Sequence, residues 1–302
     1  MFEIIQREAI YLWYYLDIQF RQIIGYWAIG IIIGSVISVF GKEKINALMD
    51  KLYNSKLGNL GIIPAALIGI ASPLCMYGTV PIVASLIKKG IREDWIVSFM
   101  MCSVLLNPQL LIFTGALGGD MVILRTVSGL LCGLLAGMLV RIFYRDKPFY
   151  KLTAFDKMSN RDTDPNIIFR LIRNIGRNIR ATGLYFLVGI LLAALFQRYV
   201  PSDFIDTLFG QRGFGVLVAA TIGVPMYVCG GGNIPLISSW MLQGMTMGGA
   251  IAFMTSGQSM KITNLGAVKI ILGVKHFAFY IIYIMGFAYL SGILIDLIVK
   301  VK

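Results

Sequence analysis

Pro73-Leu74-Cys75-Met76-Tyr77-Gly78-Thr79-Val80-Pro81 decides how this chain is read, because Cys229-Gly230-Gly231-Gly232-Asn233-Ile234-Pro235 repeats its Cys, Gly and Pro at the same spacing 154 residues later. In a chain of 302 residues, such an echo points to two copies of one unit. Each motif interrupts an apolar stretch near its centre. A helix broken at membrane depth frees backbone groups that protein, water or a ligand must satisfy, so such breaks mark binding sites in transporters.

Composition sets the solvent. The chain is 57% hydrophobic and 14% charged, which is a bilayer protein's balance. Its net charge of +12 sits in short loops between apolar spans, where Lys and Arg set orientation, so nucleic acid is not an expected partner. The expected partners are the lipid bilayer and a small-molecule or small-ion substrate, with the oligomeric state left open. Residues 1–20 mix Glu3, Arg7, Glu8 and Asp17 with aromatics, which reads as an interfacial amphipathic helix rather than a cleavable signal. All four cysteines fall in apolar spans, which argues against a disulfide framework. Cys102 and Cys132 read as small packing residues; Cys75 and Cys229 stand at the breaks.

Outward from the motifs, Tyr26 to Phe40 and Tyr185 to Tyr199 share Tyr, a Gly four residues on, and three aliphatics. The division is 1–20 interfacial helix, 21–143 first repeat, 144–165 polar linker and 166–299 second repeat. Leu60 to Ile87 has two halves of about a dozen residues each, short of the roughly 20 needed to cross. It reads as a re-entrant hairpin, and a single span with an unwound centre is the competing reading. Glu93 and Asp94 open a helix to about Leu117 that Asn107-Pro108 interrupts, since Pro lacks a donor and restricts the residue before it. Gly118-Gly119 turns the chain into a span from Met121 to Phe143. The second copy repeats the plan: a span at 181–199, a hairpin at 214–242, a helix from Met247 to Leu265 broken at Thr255-Ser256-Gly257-Gln258, and a final span ending near Val299.

The fold class is therefore an all-α integral membrane protein of two inverted-topology repeats, each with a re-entrant helical hairpin and a broken transmembrane helix. That makes about six full spans plus two hairpins, or about eight spans if the hairpins cross. Three crossings per copy force the second copy to invert. On that plan 20 of the 27 Lys and Arg residues fall on one side, Lys261, Lys269 and Lys275 among them, and six on the other, with Arg125 inside a span. The rich side is the cytoplasmic one, it holds the 144–165 linker, and the membrane is the inner membrane.

Two opposed tips bring Cys75, Met76 and Tyr77 toward Tyr227, Cys229 and Asn233. Pro73, Gly78, Pro81, Pro225, Gly232 and Pro235 shape the backbone around them. Thiols and thioethers suit soft, thiophilic species; packing alone is the bland alternative. Asn107, Ser256 and Gln258 at the breaks either orient a substrate or cap freed backbone groups. Arg125 and Lys275 are the intramembrane charges, functional candidates by default, although Lys275 also reads as a side chain snorkelling to the membrane edge. The single histidine, His276, rules out a multi-His site, so no metal and no cofactor is expected. No phosphate loop or catalytic triad occurs, and no catalytic residue is assigned.

With Pro73-Leu74-Cys75, Gly78 and Pro81, with Pro225, Tyr227, Cys229 and Pro235, and with Leu106-Asn107-Pro108, the chain resembles the predicted-permease family that includes the organoarsenical efflux permease ArsP, over about residues 20–298. The resemblance implies a multi-spanning inner-membrane permease and, for the arsenical branch, export of trivalent organoarsenicals through thiol contacts. Cys75-Met76-Tyr77 stands where that branch often has Cys-Ser-Cys, leaving one thiol per repeat. The leading reading is a secondary permease, not an enzyme, for a small thiophilic solute. The alternatives are uptake of a small sulfur-containing anion such as thiosulfate, a membrane redox or sulfur-relay protein using Cys75, and a passive channel.

Overall fold

The computed structural model describes residues 58–72, 90–144, 148–150, 213–227 and 232–301, with shorter pieces between 6 and 48, 79 and 87, 166 and 195, and at 207–209. The regular secondary structure of those regions is all helical, and no strand occurs among the described residues. The elements are α1 (Ile62–Ala71), α2 (Glu93–Leu105), α3 (Pro108–Thr114), α4 (Gly119–Phe143), α5 (Phe214–Met226), α6 (Asn233–Leu242), α7 (Met247–Met260) and α8 (Ile262–Val301). A 3₁₀ turn, Gly115–Leu117, joins α3 to Gly118. Glu93–Leu117, Gly119–Phe143 and Leu272–Val299 are long and apolar enough to cross a membrane. α1 and α5 have only 10 and 13 residues, about 15 and 20 Å against a hydrocarbon core of about 30 Å.

Backbone geometry recurs at the spacing of the two motifs. Gly90 and Gly244 both take positive φ, 80° and 109°, just before α2 and α7 begin. Arg92 (φ −59°, ψ 132°) and Thr246 (φ −72°, ψ 157°) then precede the first helical turn in extended conformations. Asn107 (φ −47°, ψ 130°) and Lys261 (φ −53°, ψ 145°) interrupt the two helices with nearly one geometry. Each pair is 154 residues apart. Gly118 (φ 108°) and Gly273 (φ 68°) then turn the chain into the closing helix of each half. Gly273 divides α8 into arms of 262–272 and 274–301.

The packing recurs with the backbone. At Gly69 on α1 a Cβ would lie 2.5 Å from the Phe99 carbonyl oxygen of α2, and at Gly223 on α5 it would lie 2.8 Å from that of Phe253 on α7. Only glycine permits these crossings, the small-residue contact by which helices approach in lipid. Gly137 meets the Asp94 carbonyl and Gly292 the Gly248 carbonyl in the same way.

Side-chain contacts fix the helix directions. The Glu93 carboxylate accepts the Phe149 backbone N–H at 2.6 Å, tying the start of α2 to the chain just past α4. His276 stacks on Phe149 at 5.0 Å and meets Tyr144 edge-on at 4.8 Å, which brings the start of the long arm of α8 to the same end. At the opposite end, Asp296 accepts the Gly248 N–H and the Thr246 hydroxyl, each at 2.8 Å, so the end of α8 meets the start of α7. Along the helices, Gly129 packs on Leu106, and the Tyr283 hydroxyl donates to the Cys132 carbonyl at 2.5 Å. The Tyr280 hydroxyl donates to the Ser259 carbonyl at 2.9 Å. α2 is thus antiparallel to α4, α4 to the long arm of α8, and that arm to α7, so α2 and α7 run in opposite directions.

Two details of the sequence reading are corrected. Thr255 to Gln258 do not break α7, which is helical through Met260. Gly257 is there because a Cβ would strike the Tyr227 ring and the Gly223 carbonyl oxygen; it is a packing glycine. The break falls instead at Lys261, between α7 and α8, a residue that the charge count had placed on the cytoplasmic side with Lys269 and Lys275.

Candidate functional site

The breaks of the two middle helices leave carbonyl groups without helical partners. Asn107 is 5% exposed, and its Oδ1 accepts the Gln109 N–H at 2.9 Å, so it caps α3, with Pro108 at the first helical position. Val104, near the end of α2, has its carbonyl oxygen taken by the side-chain Nε2 of Gln258 on α7. Gln258 turns its Oε1 to the Nη2–H of Arg125 on α4 and stands 3.5 Å from the Tyr227 hydroxyl, which donates to it. One glutamine thus joins the middle and closing helices of the first half to the residue after α5 in the second.

Arg125 is 5% exposed. Its Nη1 donates to the Thr114 hydroxyl at 2.6 Å and to the Met254 thioether sulfur at 3.2 Å. The Thr114 hydroxyl in turn donates to the Leu110 carbonyl at 2.8 Å. No carboxylate among the described residues pairs with Arg125; its partners are neutral acceptors on α3 and α7, of which Thr114 ends α3 and Gln258 is in the last turn of α7, where the helix dipoles are partly negative. A small cavity beside the guanidinium is lined by Leu105, Gly129, Met254, Thr255 and Gln258.

Of the other anticipated residues, Ser256 is buried, and its hydroxyl donates to the Phe253 carbonyl of its own helix at 3.4 Å. Asn233 is buried at the start of α6, behind a buried Gly232 and ahead of a buried Pro235. Tyr227 is half-buried and Pro225 exposed at the end of α5. Lys275 is exposed beside Gly273, at the Glu93 end and away from Arg125. Pro73, Cys75, Met76, Tyr77, Gly78, Pro81 and Cys229 lie outside the described residues. Cys102 and Cys132 are buried free thiols; Cys102 packs where a Cβ on Gly133 would be.

Three residues of this region were not singled out by sequence. Thr79, inside the first motif, is fully buried with its Oγ1 3.2 Å from the Ser103 Oγ. It occupies the motif position of Asn233, a correspondence that the 154-residue spacing contains. Met254 and Thr114 carry no local signal; they matter because Arg125 reaches them.

These features define a polar seam inside an apolar helix bundle, the architecture of a membrane transporter. The chain belongs to a predicted-permease family, whose profile matches residues 13–297. It is similar to the UPF0718 protein YcgR of Bacillus subtilis, 24% identical over 278 residues that cover 88% of this chain and 90% of the relative. It is also similar to a Streptococcus mutans protein described as a putative two-component membrane permease complex subunit, 24% identical over 248 residues covering 79% and 81%. The UPF0718 protein MJ0584 of Methanocaldococcus jannaschii is 20% identical over 298 residues, covering 78% and 82%. No solved structure matches the chain. The chain is thus a multi-pass membrane protein of a permease family.

Proposed function

We propose that the chain is a secondary permease of two inverted-topology repeats that moves a small thiophilic solute past Cys75 and Cys229 by alternate opening about its centre. The observation that carries this reading is the matched pair of interruptions at Asn107 and Lys261 in helices that run in opposite directions, because unwound segments of this kind hold substrate in secondary transporters. The shortness of α1 and α5 supports re-entrant hairpins that bring both motifs inward. The excess of Lys and Arg around 88–92 and 141–180 supports an inner-membrane orientation with the 144–165 linker in the cytoplasm. The description of the Streptococcus mutans relative as a subunit of a two-component membrane permease complex supports a second component for this chain.

Flux into proteoliposomes of the purified chain tests the reading, with a trivalent methylarsenical and thiosulfate as labelled solutes. Saturable flux that falls in Cys75→Ser and Cys229→Ser variants is expected. Wild-type flux of both solutes in the double Ser variant would end the thiol role, and non-saturable flux would favour a channel. A persulfide or mixed disulfide trapped on Cys75 during turnover would favour the sulfur relay.

A further inference from the structure

Arg125 is a buried charge held at the seam between the halves by neutral groups. Nη1 meets Thr114 and Met254, Nη2 meets Gln258, and no acceptor among the described residues takes Nε. The partial charges of helix ends keep the guanidinium in place. They are spread over several carbonyls, and one of these, Val104, is already engaged by Gln258. Taking a guanidinium out of water costs several kcal/mol when no ion balances it. The cavity against it is lined otherwise by Leu105, Gly129, Met254, Thr255 and Gln258, among which there is no acid. No negative charge among the described residues balances it, and the cavity of about 10 Å³ beside it has room for about one water, so an anion fits there only once Gln258 moves aside.

We propose that the cargo supplies that charge: the permeated species is a small anion with a soft atom, Arg125 is its recognition group, and Gln258 is the placeholder it displaces. This inference rests on the permease reading. The guanidinium edge formed by Nε and Nη2 matches two oxygens of one anion, and Nη2 becomes available when the Gln258 Oε1 leaves it. The Met254 thioether on Nη1 gives a polarisable atom of the anion a polarisable neighbour. Because the same glutamine holds the Val104 carbonyl and receives the Tyr227 hydroxyl, displacing it also loosens the contacts between halves. Charge recognition and opening of the seam are then one event, and a neutral solute leaves the seam closed.

The test is thermal unfolding of the purified full chain in detergent at matched ionic strength, with thiosulfate, sulfate, chloride or a neutral trivalent methylarsenical. Thiosulfate raises the midpoint saturably, sulfate less, and chloride and the neutral arsenical do not, as binding to the folded state requires. Gln258→Glu places a carboxylate on Arg125. It does so at the cost of the bond to the Val104 carbonyl, and it weakens the apparent thiosulfate affinity at least about ten-fold. Arg125→Gln removes the response, and the Glu variant provides the same reading if Arg125→Gln does not fold. A wild-type chain indifferent to every anion, or a thiosulfate response unchanged in Gln258→Glu, overturns the proposal. Cys-dependent flux of the neutral arsenical with no anion response would overturn this inference and leave the permease reading standing. Anion protection without flux of any solute would overturn the permease reading and leave the anion site.

Discussion

Gln258 on α7 accepts a hydrogen bond from Arg125 on α4, 133 residues earlier in the chain, and with the same amide holds the Val104 carbonyl. Gln258→Leu takes the side-chain partner from the buried Val104 carbonyl and the Nη2 partner from Arg125, whose Nη1 keeps Thr114 and Met254. The expected loss is about 1–3 kcal/mol for each, more for the charged one. Ser256→Ala, two residues away, removes only a hydroxyl bonded within its own helix and costs less than about 1 kcal/mol. Unfolding midpoints in detergent check the ranking, and equal losses would contradict the bridging role.

Gly69 and Gly223 make one crossing in two halves, each against the carbonyl of a phenylalanine. Backbone oxygens cannot step aside cheaply, so Gly69→Ala and Gly223→Ala each destabilise by about 1–3 kcal/mol through overpacking. A methyl group added at Gly286 would meet no neighbouring element within 4 Å, and Gly286→Ala is stabilising by up to about 1 kcal/mol through helix propensity. Parallel unfolding curves of the three variants test this.

Asn107 shapes the first interruption through its bond to the Gln109 N–H. Asn107→Ala costs about 0.5–2 kcal/mol as a lost helix cap. Hydrogen exchange localises the effect: the amides of residues 109–111 exchange faster, while those of α4 are unchanged. Protection that falls evenly across the bundle would contradict a local capping role.

The first half was readable where backbone chemistry is local. Glu93, Asn107-Pro108 and Gly118-Gly119 each alter the chain at their own position, so the helix start, the break and the turn stand where their residue types put them. The second break was misplaced because Lys261 carries no breaker signature, while Gly257 looks like one and is instead a close-packing residue against Gly223 and Tyr227. The link from Arg125 through Gln258 to Val104 joins residues more than 130 positions apart. No spacing rule connects them; their meeting depends on two helices that enter the bundle from opposite ends.

Transport gives the fourth expectation. Cys75→Ser and Cys229→Ser each lower saturable flux of a thiophilic solute in proteoliposomes, by about ten-fold if a sulfur contact worth roughly 1.4 kcal/mol is lost. The replacements conserve size, so unfolding midpoints stay near wild type. Unchanged flux in both variants would assign the two thiols to packing.

The inverted arrangement proposed for the two halves is tested most directly by labelling single cysteines in a chain whose own four cysteines have been replaced. Pro148→Cys reports the Glu93 end and Leu242→Cys the end where α7 begins; both positions are exposed. In intact spheroplasts a membrane-impermeant maleimide labels Leu242→Cys at once and Pro148→Cys only after permeabilisation. Labelling of both from one side would contradict the inverted arrangement.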